Sequence, residues 1–293
     1  IMKISVSSYS FQQYIKAGKL SQLQTVKAAY DLGLRAIEFT DLCPEFGKAP
    51  TLDEQKEYAK LIRAEADKYG MDINAYTIGA NLFKKGEEAE KEIARLCGQL
   101  DVAAILGAKV MRHDVVWGYG KEADARSFEL MLPTIAANAR KVTEYAATLG
   151  IKTCSENHGI IAQDSYRVEK LFSAVAHENY GLLVDMGNFA CVDEDSAVAV
   201  SRLAPYAFHV HAKDWFFHDF DENFESGYLT RGCRRLVGCS VGEGDIPVKR
   251  CLAILQKAGY EGYVSIEYEG PNDCIEGIKL GIENLKSFGV TTE

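Results

Sequence analysis

No run of apolar residues in this chain approaches the ~20 residues that a helix needs to span a bilayer. None of its eight cysteines forms a Cys-x-x-Cys pair. Cys43, Cys97, Cys154, Cys191, Cys233, Cys239, Cys251 and Cys274 are scattered through ordinary helix and strand patterns. Disulfide frameworks belong to short secreted chains, so reduced thiols are expected here. Ile1-Met2-Lys3-Ile4 runs straight into a strand pattern, without the basic start and apolar run of a secretory signal, and a cytoplasmic protein is expected. Positive charge is also short, with 33 Lys and Arg against 42 Asp and Glu and a net charge of −9. An acidic surface disfavours phosphate backbones and anionic lipid, so neither nucleic acid nor membrane is an expected partner. No Pro- or Gly-rich linker divides the chain, and residues 1–293 are expected to form one domain. No Gly-x-Gly-x-x-Gly turn follows the first strand pattern, which weighs against a doubly wound dinucleotide fold.

What the chain has is alternation. Nearly half of it, 47%, is hydrophobic, enough for a large core. Strand patterns at residues 3–7, 35–40, 71–77, 108–113, 151–156, 181–185, 207–212 and 263–267 alternate with helix patterns. The helix over 51–69 is marked at both ends, by the Thr51/Glu54 capping box and by Gly70. Another helix is expected over 123–149, and one over 246–258 with Asp245 as its cap. Eight strand–helix units predict a single (β/α)8 TIM barrel of the α/β class, with a long irregular loop after strand 7 at residues 215–244.

Four segments put a carboxylate or an imidazole where an apolar run stops: Ser155-Glu156-Asn157-His158-Gly159, Val184-Asp185-Met186-Gly187-Asn188, His209-Val210-His211-Ala212-Lys213-Asp214 and Ser265-Ile266-Glu267-Tyr268-Glu269-Gly270. Side chains alternate across a strand, so parity tells which of them share a cavity. Phe208, Val210 and Ala212 form the helix-facing side of strand 7, and His209, His211 and Lys213 the inner side. By the same count Asp185 and Glu267 point inward, and Glu156 ends its strand. All four positions are inward and late, which in a barrel is the C-terminal mouth. Three carboxylates and an imidazole suit one divalent metal, Mn2+ or Mg2+ first, with Co2+ or Zn2+ also compatible. Glu269 shares the parity of Glu267 and competes for the fourth position. Plainer readings exist: Asp185 and Asp214 as loop caps, His209 as a hydrogen-bonded core residue.

At these residues the chain resembles the xylose-isomerase-like TIM-barrel superfamily of sugar isomerases and epimerases, inosose dehydratases and apurinic endonucleases. The resemblance runs from Ser7-Ser8-Tyr9-Ser10-Phe11 through Ala36-Ile37-Glu38 and Gly242-Glu243-Gly244-Asp245-Ile246 to Gly262-Tyr263-Val264-Ser265-Ile266-Glu267. It implies metal ligation by Glu156, Asp185, His211 and Glu267, with Glu156 and Glu267 also exchanging protons with substrate. Asn188 stands where the ketose 3-epimerase branch has a His, and Ala162 where it has another Glu. Only 6 His and an acidic surface speak against the endonuclease branch.

The expected activity is that of a divalent-metal-dependent isomerase or epimerase of a sugar, sugar phosphate or polyol. It would act by proton transfer next to a carbonyl through a metal-stabilised enediolate. The alternatives are dehydration of a keto-inositol or keto-sugar on the same scaffold, and a noncatalytic sugar-binding protein. His158, Lys213, Glu38, His113 and Trp117 are the candidate substrate contacts. The segment 215–244 holds Trp215, Phe216, Phe217, Phe220, Phe224 and Tyr228, then Arg231, Arg234 and Arg235. It is expected to act as a lid over the mouth or as a contact in a homo-oligomer.

Overall fold

A computed structural model describes residues 1–119, 126–221, 223 and 226–293. Eight strands form a closed parallel barrel: β1 (Lys3–Ser7), β2 (Ala36–Thr40), β3 (Asp72–Ile78), β4 (Val110–His113), β5 (Lys152–Glu156), β6 (Tyr180–Asp185), β7 (Ala207–Ala212) and, last in the chain, β11 (Tyr263–Ile266). They run round the barrel in chain order, and β11 pairs with both β7 and β1. Ile4, Val6, Ile37, Phe39, Val184, Val210, Val264 and Ile266 are fully buried. The layer around the barrel is α2 (Gln22–Asp31), α3 (Leu52–Lys68), α4 (Gly86–Leu106), α5 (Phe128–Thr148), α6 (Ser165–Val175), α7 (Ser196–Leu203), α8 (Val248–Lys257) and α9 (Cys274–Ser287); a five-residue α1 (Gln12–Lys16) follows β1.

The helix ends follow their local chemistry. Capping boxes at Ser21/Gln24 and Thr51/Glu54 start α2 and α3. Ser127 caps α5, so this helix starts later than its apolar pattern suggests; residues 123–125 of the expected helix lie outside the described residues. Asp245 does not cap α8: its carboxylate accepts the Phe217 N–H at 2.7 Å, and Pro247 precedes the helix. All eight cysteines are free thiols, and among the described residues no helix is long and apolar enough to cross a membrane.

Two local features depart from the expected pattern. Against β6, strand β7 carries one extra residue: Leu182 pairs with Ala207 and Leu183 with His209. This bulge turns Phe208 away from the helix side expected for it. Its ring lies against Gly181, where a Cβ would come within 2.5 Å, and under the Lys152 ammonium at 4.4 Å. Beyond the bulge the alternation resumes, with His209 and His211 both inside.

The long loop after β7 is also more regular than expected. It carries a three-stranded antiparallel sheet of β8 (Asp214–His218), β9 (Tyr228–Leu229) and β10 (Arg235–Cys239), in the order β8-β10-β9. Asp214 anchors both its ends. One carboxylate oxygen accepts the N–H groups of Trp215 (2.8 Å) and Ile246 (3.1 Å), and the other those of Gly242 (2.9 Å) and Gly244 (3.0 Å). Gly244 is required there, because a Cβ would stand 2.3 Å from that carboxylate.

Candidate metal centre

Glu156, Asp185, His211 and Glu267 arrive from the ends of β5, β6, β7 and β11. His211 Nδ1 lies 3.7 Å from Glu156 Oε1, 3.6 Å from Asp185 Oδ2 and 3.7 Å from Glu267 Oε2. One donor atom from each residue lies within 4.8 Å of all the others, and all four residues are buried. Ligand bonds of ~2.1 Å would put neighbouring donor atoms ~3.0–3.5 Å apart, so the three separations from His211 need to shorten by only a few tenths of an ångström to hold an ion.

Three of the four donor atoms make no hydrogen bond of their own. Asp185 Oδ2, His211 Nδ1 and Glu267 Oε2 are buried without a hydrogen bond, an arrangement that is costly unless a cation faces it. Asp185 is pre-set by its loop, its other oxygen accepting the N–H groups of Gly187 (2.7 Å) and Asn188 (2.9 Å). His211 donates from Nε2 to Glu38 Oε1 at 2.7 Å, which turns Nδ1 toward the carboxylates. The donor set and its orphaned atoms fit a divalent cation. Glu269 is not part of the cluster; it takes the Lys213 ammonium at 3.2 Å instead.

Two buried cations flank the acids. Lys213 Nζ lies 2.5 Å from Glu267 Oε2, too poorly aligned for a good hydrogen bond, 3.6 Å from Asp185 Oδ2 and 3.2 Å from Asn188 Oδ1. Burial opposes its charge, but Glu267, Glu269 and Asp185 hold it well above the ordinary lysine range. Gly187 makes room for its stem, since a Cβ there would come 2.9 Å from Lys213 Cβ and Cγ. On the other side, Arg112 Nε lies 3.0 Å from Glu156 Oε2, and its Nη1 donates to Ile78 O (2.9 Å) and Asp114 Oδ1 (3.2 Å). Asn188 joins the two halves, donating to Glu156 Oε1 at 2.9 Å.

The two glutamates therefore differ. Burial pushes the Glu156 carboxyl up, and Arg112, His211 and His158 only partly offset it. Burial acts on Glu267 too, but Lys213 and His211 outweigh it and hold the group well below the carboxylate range. His158, partly buried, shares a proton with Asp114 Oδ1 at 2.9 Å. Burial alone would lower its pKa; the Asp114 contact and the Glu156 charge raise it. Trp117 stands edge-on to this ring at 4.8 Å and is 61% exposed, on the rim.

Two of the expected sugar contacts lie elsewhere. Glu38 is fully buried behind His211, with its second oxygen 2.5 Å from His209 Nε2, so both oxygens serve histidines. His113 is fully buried on the opposite side of β4 from Arg112; its Nδ1 reaches the Asp114 carbonyl, its ring lies 6.4 Å from Tyr180, and burial keeps it neutral. The strand's contribution to the site is Arg112, which is absent from the residues expected from sequence. Tyr9 was passed over too. It stands in the 3-10 turn Ser8–Phe11 that follows β1, its hydroxyl pushed up to about 12 by burial and by the charges of Glu269 and Glu267, and so keeps its proton.

The inserted sheet forms one wall of this mouth. Trp215 donates from its indole to Gly187 O at 3.2 Å, and β10 passes so close to the Glu269 carbonyl that a Cβ on Gly238 would stand 2.3 Å from it. Arg231 reaches across to Ile160 O at 2.6 Å and to Asp164 at 3.7 Å, on the loop that follows His158. Phe220 is 67% exposed, and Phe224 lies outside the described residues.

Comparison with known proteins agrees with this architecture. A family model described as "Xylose isomerase-like TIM barrel" matches residues 26–288. The chain is 28% identical over 236 residues to the "Rhizopine catabolism protein MocC" of Rhizobium meliloti, covering 75% of this chain and 70% of that protein. It is 26% identical over 138 residues to an "Inosose dehydratase" of Clostridium perfringens, spanning 46% of each chain. Among solved structures, "IOLI protein with a binding zinc atom" superposes with a TM-score of 0.72 at 18% identity, covering 98% of both chains, a likeness of fold.

Proposed function

The chain belongs to the xylose isomerase-like TIM barrel family, and from that premise we propose that it removes a proton beside the carbonyl of a small polyhydroxylated ketone, a sugar or cyclitol, at a divalent metal. The observation that carries this reading is the convergence of four buried donor atoms, three without a hydrogen-bond partner, at the C-terminal ends of β5, β6, β7 and β11. Glu156, Asp185, His211 and Glu267 are the assigned ligands, and Mn2+ or Mg2+ suits three carboxylates and an imidazole best, with Co2+ and Zn2+ compatible. When bound, the ion supplies Lewis acidity toward the substrate's oxygens.

The protein's own groups divide the remaining work. Glu156, with its raised pKa, is the base that takes the carbon-bound proton. Lys213, permanently charged, donates a hydrogen bond to oxygen that gains negative charge. His158, kept protonated to higher pH by Asp114, is placed to give a proton to a departing hydroxyl. That third element supports a lyase outcome: the hydroxyl on the next carbon leaves with the His158 proton as water, and a double bond forms. The inosose dehydratase relatives support it as well. The isomerase or epimerase outcome keeps its own support in the opposite shifts of Glu156 and Glu267, a pairing suited to one group taking a proton and another returning it. The eight free thiols support a reducing, cytoplasmic setting.

Incubation of the metal-loaded protein with candidate keto-sugars and keto-inositols in deuterated water separates these outcomes. A dehydratase yields a product lighter by one water. An isomerase or epimerase yields a product of unchanged composition carrying deuterium at carbon. Binding without deuterium entry or loss of water from any of them would overturn the enzymatic reading.

A further inference from the structure

We infer that Glu38 and His209 form a positioning pair that fixes the proton of His211 on Nε2 and so aims Nδ1 at the metal. The inference rests on the metal-site reading above and concerns a layer beneath the ligands. His209 and His211 are two residues apart on β7 and so face the same side of the strand. Glu38 crosses the barrel interior from β2 and meets both, Oε2 with His209 Nε2 at 2.5 Å and Oε1 with His211 Nε2 at 2.7 Å. All three residues are buried, Glu38 and His211 completely.

An ionised carboxylate only accepts hydrogen bonds. With both oxygens engaged, both imidazoles must donate from Nε2. His211 Nδ1 is the atom without a hydrogen bond, facing Glu156, Asp185 and Glu267, and in an imidazole that keeps its proton on Nε2 this is the nitrogen whose lone pair a bound cation would take. The carboxylate also makes the ring a stronger donor to a cation. His209 fixes the carboxylate in turn: its hydrogen bond holds Oε2, so the headgroup cannot rotate away from His211. The pair touches neither substrate nor metal, and its effect is on the geometry and basicity of one ligand.

The test compares Mn2+ affinity by calorimetry in the wild type, Glu38→Gln and Glu38→Ala, with the melting temperature of each metal-free protein as a control for folding. An amide cannot accept from both histidines, so the expected result is a Kd weakened by about 10–100-fold in Glu38→Gln and at least as much in Glu38→Ala, measured at a temperature at which the metal-free melting curves show each protein folded. A second measurement uses only the wild type: in Zn2+-loaded protein, nitrogen NMR of the imidazoles should show His211 bound through Nδ1 with a slowly exchanging proton on Nε2. Metal bound through Nε2, or a Glu38→Gln variant that binds Mn2+ within twofold of wild type, overturns the assignment while leaving the metal site intact. A wild type that takes up no Mn2+ sinks the metal site and this inference with it.

Discussion

At the scale of single residues, the site divides between groups that parity could find and groups that only the closed barrel brings in. Asp185, His211 and Glu267 were legible because each ends a strand whose preceding residues alternate cleanly, and Glu156 because its strand stops there. Arg112 was not, because the neighbouring His113 looked like the chemistry-bearing residue, and in a period of two a one-residue misjudgement moves a side chain to the other side of the wall. Glu38 was expected among the substrate contacts, and no sequence pattern reveals that two histidines from β7 occupy both of its oxygens. The different settings of the two glutamates give a residue-scale prediction. Glu156→Gln and Glu267→Gln keep size and hydrogen-bonding reach but lose the proton-accepting role, and each should lower kcat by at least about 100-fold. Metal content measured on the same samples separates loss of the base from loss of the ion. Near-wild-type turnover in either variant removes its catalytic assignment.

Among elements, the inserted sheet is where the sequence said least. Its aromatics alternated too irregularly for a strand reading, and the pairing of β8 with β10 is long-range, joining Asp214 to Cys239. The Gly242–Ile246 stretch was legible as a family signature, but its physical task is not: three of its backbone N–H groups, with that of Trp215, surround the Asp214 carboxylate and close the root of the insertion. In Asp214→Asn one oxygen becomes an amide NH2 facing N–H donors, which leaves buried donors unpaired and should cost on the order of 2–4 kcal/mol of stability. Urea unfolding reads this directly, and a midpoint equal to wild type would show that the root is held by something else. Because Trp215 and β10 wall the mouth beside Gly187 and Glu269, the same variant should lose turnover by more than it loses metal affinity.

The whole molecule was legible as a barrel because its eight apolar strand patterns are regular and its glycine stops frequent, and periodicity survives burial on both sides of a parallel strand when the helices between are amphipathic. The energetic character of that barrel was not legible. Its mouth gathers three carboxylates and an imidazole within a few ångströms, with Lys213 and Arg112 as the buried cations nearest to them. Burial and mutual repulsion of the acids still work against the charged form of Glu156, although Lys213 and His211 outweigh them at Glu267. An ion that binds the native state and not the unfolded chain reverses this, adding about 2.7 kcal/mol at a free concentration one hundred times its Kd. At roughly 2–4 °C per kcal/mol for a chain of this class, loading should raise the melting temperature by roughly 5–10 °C, and chelation should remove the gain. The measurement is a thermal scan of one preparation with EDTA, then with Mn2+ restored in excess. Mg2+ should give a smaller shift at equal concentration, because it dehydrates reluctantly and the site offers an imidazole. A melting temperature that stays the same through chelation and re-addition would mean that the four side chains converge without binding an ion.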